Sequence, residues 1–171
     1  SANPYDIDYP ESPTDPDVEP LPLTTLDMRG LDFPYAGTGF VKQQIWVSLD
    51  AANEVRQATV SDVFPYPSGE NNIRLYAAAE DFASSTYRVW VGDNLLGTYT
   101  VPLSESGVQF GIDYRGVWDN IQVNYGDEIT VEANAGTVDN VNWTRAGWQK
   151  VTFLPLFDTA NVQVADRGRG Q

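Results

Sequence analysis

The chain has 171 residues, a length that fits one domain, and its 24 acidic and 10 basic residues give a net charge of −14. It contains no cysteine and no histidine, which excludes disulfides, thiolate zinc sites and catalytic triads built on either residue. The acidic balance argues against direct binding to nucleic acid or to an anionic membrane surface, because both partners need a basic footprint.

Residues 1–25 form an acidic, proline-rich segment that we predict to be an extended arm. Proline blocks helix interiors and central strands and favours an extended polyproline conformation. The same composition is typical of a disordered tail, so a free tail and an arm docked on a neighbouring subunit both stay open. Its prolines and acidic residues are Pro4, Asp6, Asp8, Pro10, Glu11, Pro13, Asp15, Pro16, Asp17, Glu19, Pro20 and Pro22.

From about residue 38 apolar and polar residues alternate with a period of two, the pattern of half-buried strands. Short strands near ten residues apart, with turn residues between them, predict an all-β antiparallel β-sandwich of jelly-roll or Ig-like type over residues 26–164. Helix evidence is thin, and its best stretch is 49–60. Residues 165–171 are predicted to be a flexible basic tail. The predicted strands are 41–47, 73–78, 87–91, 95–101, 108–112, 117–123, 128–133 and 151–154.

Five large aromatic residues fall on the polar side of alternating stretches of the sequence. Alternate side chains of a strand face opposite ways, so Trp90 should share a face with Arg88 and lie opposite Val89 and Val91. The five aromatic residues are Trp46, Tyr76, Trp90, Trp118 and Trp148. Three interpretations stay open: loops or the arm cover these residues, they anchor a protein interface, or they form a platform on which sugar rings stack.

Few residues suggest catalysis or metal binding. Glu128 and Glu132 would share one face of a strand at a separation of about 13 Å, beyond the roughly 5–9.5 Å that glycosidases use. We therefore expect no enzyme activity and no cofactor. Calcium is the one metal that the many carboxylates suggest; two segments have acidic residues at alternate positions and a third lies in a loop-like stretch, all without a full EF-hand pattern. These segments are Asp6-Ile7-Asp8, Asp15-Pro16-Asp17 and Asp139-Asn140.

These features lead to a structural protein as the main functional hypothesis, most concretely a decoration or cement protein of a bacteriophage-type virion. The arm would lie along neighbouring subunits, both copies of this chain and a capsid protein. The five outward aromatic residues would anchor the interface, and Arg167 and Arg169 would pair with acidic neighbours. The first residues, Ser1-Ala2-Asn3-Pro4, do not resemble an intact signal peptide. This hypothesis places the protein in the virion, after synthesis in the host cytoplasm.

Two alternatives remain. The first is a secreted, extracellular carbohydrate-binding β-sandwich module whose proline-rich segment links it to another domain. The second is a pilus- or fibre-type subunit that donates its N-terminal segment as a strand to the next copy.

Overall fold

The computed structural model describes residues 24–156, which form ten antiparallel strands in two sheets. The larger sheet has the order β2-β3-β10-β5-β8, with β1 also paired to β10, and the smaller sheet has the order β4-β9-β6-β7. The strands are β1 Leu26–Arg29, β2 Phe40–Lys42, β3 Val47–Leu49, β4 Gln57–Val63, β5 Gly69–Ala77, β6 Thr86–Val91, β7 Asn94–Thr100, β8 Arg115–Val123, β9 Glu128–Asn134 and β10 Trp148–Pro155. The antiparallel β-sandwich predicted from the sequence is confirmed.

Helical structure is limited to three short 3-10 turns among the described residues, over Gly30–Asp32, Ala51–Asn53 and Ile112–Tyr114. Within residues 24–156 we find no helix with the length and apolarity needed to cross a membrane. The predicted arm and basic tail, with Arg167 and Arg169, lie outside the described residues, so the predicted domain boundaries stay predictions.

The core lies between the sheets and is built from the apolar sides of alternating strands. In β5, Ile73, Leu75 and Ala77 are fully buried, whereas Arg74 and Tyr76 between them are partly exposed on the outer face. The buried phenol of Tyr87, in the smaller sheet, donates a 2.6 Å hydrogen bond to the carbonyl of Gly147, just before β10 in the larger sheet. This bond joins the two layers, and the same carbonyl also accepts the Ala78 amide at 2.9 Å.

Two strand predictions are wrong. Residues 41–47 do not form one strand, because the chain reverses between β2 and β3, with the Gln43 amide donating to the Trp46 carbonyl at 2.8 Å. Residues 108–112 lie in a loop that makes a single bridge, between Gln109 and Ala79. The only helical part of the stretch with the thin helix evidence is the 3-10 turn Ala51–Asn53, and its last four residues, 57–60, begin strand β4. Its partner is β9, a long-range pairing that a local sequence window does not contain.

Candidate functional site

The loops at the two ends of the sandwich differ in length. At one end the sheets are joined by residues 50–56, 78–85, 101–114 and 135–147, whereas at the other end the connections are residues 64–68, 92–93 and 124–127. Binding residues are concentrated on long loops that a rigid scaffold holds in place. The long-loop end is therefore the stronger candidate for a binding site.

A concave cleft of about 470 Å³ opens at this end, and we call it the loop-end cleft. Its apolar walls come from Phe82 of the β5–β6 loop and from Val138, Val141 and Trp143 of the β9–β10 loop. Phe82 is 37% exposed and both valines are more than 70% exposed. The Arg56 guanidinium lies 4.9 Å from the centre of the Trp143 ring and holds it by a cation–π contact. Aromatic walls with a few polar groups are typical of small-ligand sites.

The wall that carries Trp143 is ordered by a carboxylate. Asp139 accepts hydrogen bonds from the amides of Val141 at 2.9 Å and Asn142 at 2.8 Å, and from the Asn142 side chain at 3.0 Å. These hydrogen bonds, with that of the Asn142 amide the largest cause, lower the pKa of Asp139 to about 2. The carboxylate proposed from the sequence as a calcium ligand is thus engaged by its own loop. Residues 24–156 contain no cluster of three or more acidic side chains suited to a metal.

Buried hydrogen bonds fix the base of the same loop. The Thr144 hydroxyl is shared by the Gly136 amide, at 2.8 Å, and by the Ser85 hydroxyl, at 2.7 Å. The Arg145 amide donates to the Glu80 carboxylate at 2.7 Å. Burial of Glu80 raises its pKa, and the hydrogen bond from Arg145 partly opposes that shift. The cleft wall therefore begins and ends in the packed interior.

The outward orientation predicted for Trp148 and Trp118 is wrong, in each case because of a bulge. Trp148 is fully buried, with its ring edge-on to Phe33 at 5.2 Å, because a register shift between Trp148 and Lys150 places an extra residue in β10. Trp118 pairs with the buried Ile73 and packs against the core after a shift in the β5–β8 pairing.

Trp46 is also buried, although it lies outside the strands. The loops cover it: its ring is 5.5 Å from that of Phe110 and 5.5 Å from the Arg145 guanidinium, and it rests on Gly147, where a Cβ would overlap the ring. For Trp46 the interpretation that loops of the same molecule cover the aromatic residue is therefore confirmed.

Tyr76 and Trp90 do lie on outer faces, but on different sheets. Tyr76 is on β5 of the larger sheet and Trp90 on β6 of the smaller one. The structure therefore does not bring the predicted aromatic residues together on one surface. The interface role predicted for Tyr76 and Trp90 stays a prediction.

Sequence reasoning missed Trp143, Phe82 and Arg56. None of them lies in the alternating pattern that predicts the five outward aromatic residues. A usable signal was the Asn142-Trp143-Thr144 run, which comes directly after a turn-rich stretch and so predicts an aromatic residue on a loop.

Comparison with known proteins shows relatives of the fold. No family model matches the chain. An uncharacterized protein, P23, of Formosa agariphila is 32% identical over 126 residues, which is 73% of this chain but only 30% of that protein. Among solved structures, the C-terminal CBM6 domain of the marine laminarinase LamC from Zobellia galactanivorans superposes with a TM-score of 0.50 at 13% identity, covering 77% of this chain and 99% of that domain.

A second similar structure is the Podospora anserina GH26-CBM35 β-(1,4)-mannanase, with a TM-score of 0.54 at 12% identity, covering 80% of this chain and 29% of that enzyme. These neighbours give no support to the virion hypothesis or to capsid subunits as partners. The chain has the antiparallel β-sandwich fold found in carbohydrate-binding modules.

Proposed function

We propose that this domain is a non-catalytic carbohydrate-binding module that takes a polysaccharide in the loop-end cleft. The observation that carries the proposal is the Trp143 ring, held by Arg56 in a concave cleft with apolar walls. Its setting on a β-sandwich similar to a CBM6 domain supports the same reading. The carbohydrate-binding alternative from the sequence thus replaces the virion hypothesis as the leading function.

The geometry suits a sugar ring. The C–H face of a pyranose is apolar and packs on an aromatic ring, and Trp143 and Phe82 offer two such rings at one cleft. The Asn142 side chain and the Arg56 guanidinium line the same cleft, where polar groups fix the orientation of a ligand through its hydroxyls. The hydrogen bonds of Asp139 order the loop before a ligand arrives, which reduces the entropic cost of binding.

The wider setting of the domain follows from the same proposal. The match covers less than a third of the Formosa agariphila relative, so this chain would act as one part of a longer protein. Because polysaccharides are too large to enter a cell intact, such a module would work outside it.

The test is a binding series on the full chain with laminarin and β-mannan, the polysaccharides suggested by the names of the neighbouring enzymes. Affinity electrophoresis or calorimetry would measure Kd for the unaltered protein and for Trp143→Ala. We expect the substitution to weaken binding by about tenfold or more, because it removes a central aromatic contact. The matched control is Tyr125→Ala, which removes an aromatic ring that is 72% exposed at the opposite end.

Equal losses in both variants, or binding unaffected by Trp143→Ala, would contradict the loop-end cleft as the site. An absence of binding to these polymers and to a broad glycan panel would contradict the function itself.

A further inference from the structure

A second surface, distinct from the loop-end cleft, gathers positive charge on the outer face of the larger sheet. Tyr76 of β5 is paired in register with Lys150 of β10 on one side and with Arg115 of β8 on the other. Arg74, two residues earlier in β5, shares the outer face with Tyr76. Three cations therefore surround one aromatic ring in a chain whose net charge is −14.

Contacts hold these side chains in place around the ring. Lys150 Nζ lies 5.2 Å from the centre of the Tyr76 ring, and Arg115 Nη1 donates to the Tyr76 hydroxyl at 3.4 Å. Arg74 Nη1 donates to Asp119 at 2.8 Å. A groove of about 150 Å³ is lined by Arg74, Arg115 and Tyr76, with Thr152 on its wall. The two arginines thus line the groove, and Lys150 contacts the Tyr76 ring beside it.

The charges of this groove are incompletely neutralised. Arg74 is paired with Asp119, and Lys150 Nζ is 3.6 Å from Asp27. Arg115 makes no ion pair within residues 24–156. The contacts of Arg74 and Arg115 use one nitrogen of each guanidinium, and a guanidinium carries five N–H donors in a planar fork. Such forks match the paired oxygens of a sulfate or a carboxylate.

We propose that this groove binds the acidic groups of an anionic polysaccharide, with Arg74 and Arg115 holding a sulfate or carboxylate and Tyr76 supporting the sugar ring that carries it. That the ligand is a glycan rests on the proposed function, but the groove is separate from the loop-end cleft. Charge complementarity identifies the occupant, since neutral hydroxyls do not require two guanidinium groups. The module would thus have two sites with different chemistry.

The experiment uses the full chain and three polymers: carrageenan, which is a sulfated galactan, polygalacturonate, which carries carboxylates, and neutral laminarin. Kd is measured for the unaltered protein and for an Arg74→Gln/Arg115→Gln variant, with thermal melting as the check on folding. We expect the double variant to bind one or both anionic polymers about tenfold more weakly or worse, because charge-assisted hydrogen bonds are lost. Comparison of carrageenan with polygalacturonate distinguishes sulfate from carboxylate recognition.

Two control variants separate this site from others. Lys42→Gln removes an exposed positive charge at β2 and should leave binding of the anionic polymers unchanged. Trp143→Ala should weaken laminarin binding only. If the unaltered protein binds the anionic polymers but neither laminarin, β-mannan nor any neutral glycan of a broad panel, the loop-end cleft is contradicted and this groove stands.

Three results would overturn the groove proposal. The first is no binding of either anionic polymer by the unaltered protein, and the second is equal binding by the folded double variant. The third is a dimer, detected by light scattering, that the double variant dissociates, because the face would then be an interface between two copies.

Discussion

The loop over residues 135–147 and the strand β10 that follows it are adjacent in sequence and opposite in character. The loop carries Trp143 on an open cleft and satisfies its polar groups largely through its own residues. The strand places Trp148 at zero exposure between the sheets, edge-on to Phe33 and Phe40. Under the proposed function, two tryptophans five positions apart would serve ligand binding and stability separately. Substitutions in one region should change one property and spare the other.

The largest change in stability is expected from a substitution in β10. Trp148→Ala should lower the free energy of unfolding by about 3–5 kcal/mol, because it leaves a cavity beside Phe33 and Phe40. Urea unfolding followed by fluorescence would measure the loss. Trp143→Ala is the matched comparison and should change the free energy of unfolding by less than about 1 kcal/mol. Similar losses in the two variants would remove the distinction between the regions.

A smaller loss of stability is expected from a substitution at Gly147, where the loop over residues 135–147 meets β10. A Cβ on Gly147 would overlap the buried Trp46 ring, so Gly147→Ala should cost about 1–3 kcal/mol through overpacking. Gly69→Ala is the control, since a Cβ there meets no atom within 4 Å. Thermal unfolding of both variants checks the prediction, which a fully stable Gly147→Ala protein would contradict.

The smallest effect is expected in the loop, as a pH dependence. The folded-state pKa of Asp139 is lowered from 3.8 to about 2, so its stabilising contribution is present above about pH 4 and is lost as the pH falls through 2. The amide signals of Val141 and Asn142 should titrate over this range in NMR spectra. Asp139→Ala should abolish that titration. A titration midpoint near pH 3.8, the ordinary pKa of an aspartate, would mean that these hydrogen bonds do not persist in solution.

The face of an aromatic residue was predictable wherever the strand was regular. For Tyr76 and Trp90 the alternation of neighbouring residues predicted the outer face, which the structure shows. For Trp118 and Trp148 the prediction was wrong, because one extra residue in a bulge reverses every side chain beyond it. A bulge depends on the pairing of two strands distant in sequence, and alternation within one strand does not reveal it.

The two candidate sites depended still more on tertiary structure. Phe82, Trp143 and Arg56 come from three separate segments, and no spacing in the sequence links them. The cationic groove needs β5, β8 and β10 side by side, which only the sheet order provides.

The sequence by itself determined the class of fold and excluded cysteine and histidine chemistry, because composition and a period-two pattern are local properties that need no partner. The tertiary structure decided which tryptophans are buried, which loops meet at one end, and where the positive charges gather. Those outcomes depend on strand register and on contacts between distant segments, and these form only when the two sheets pack together.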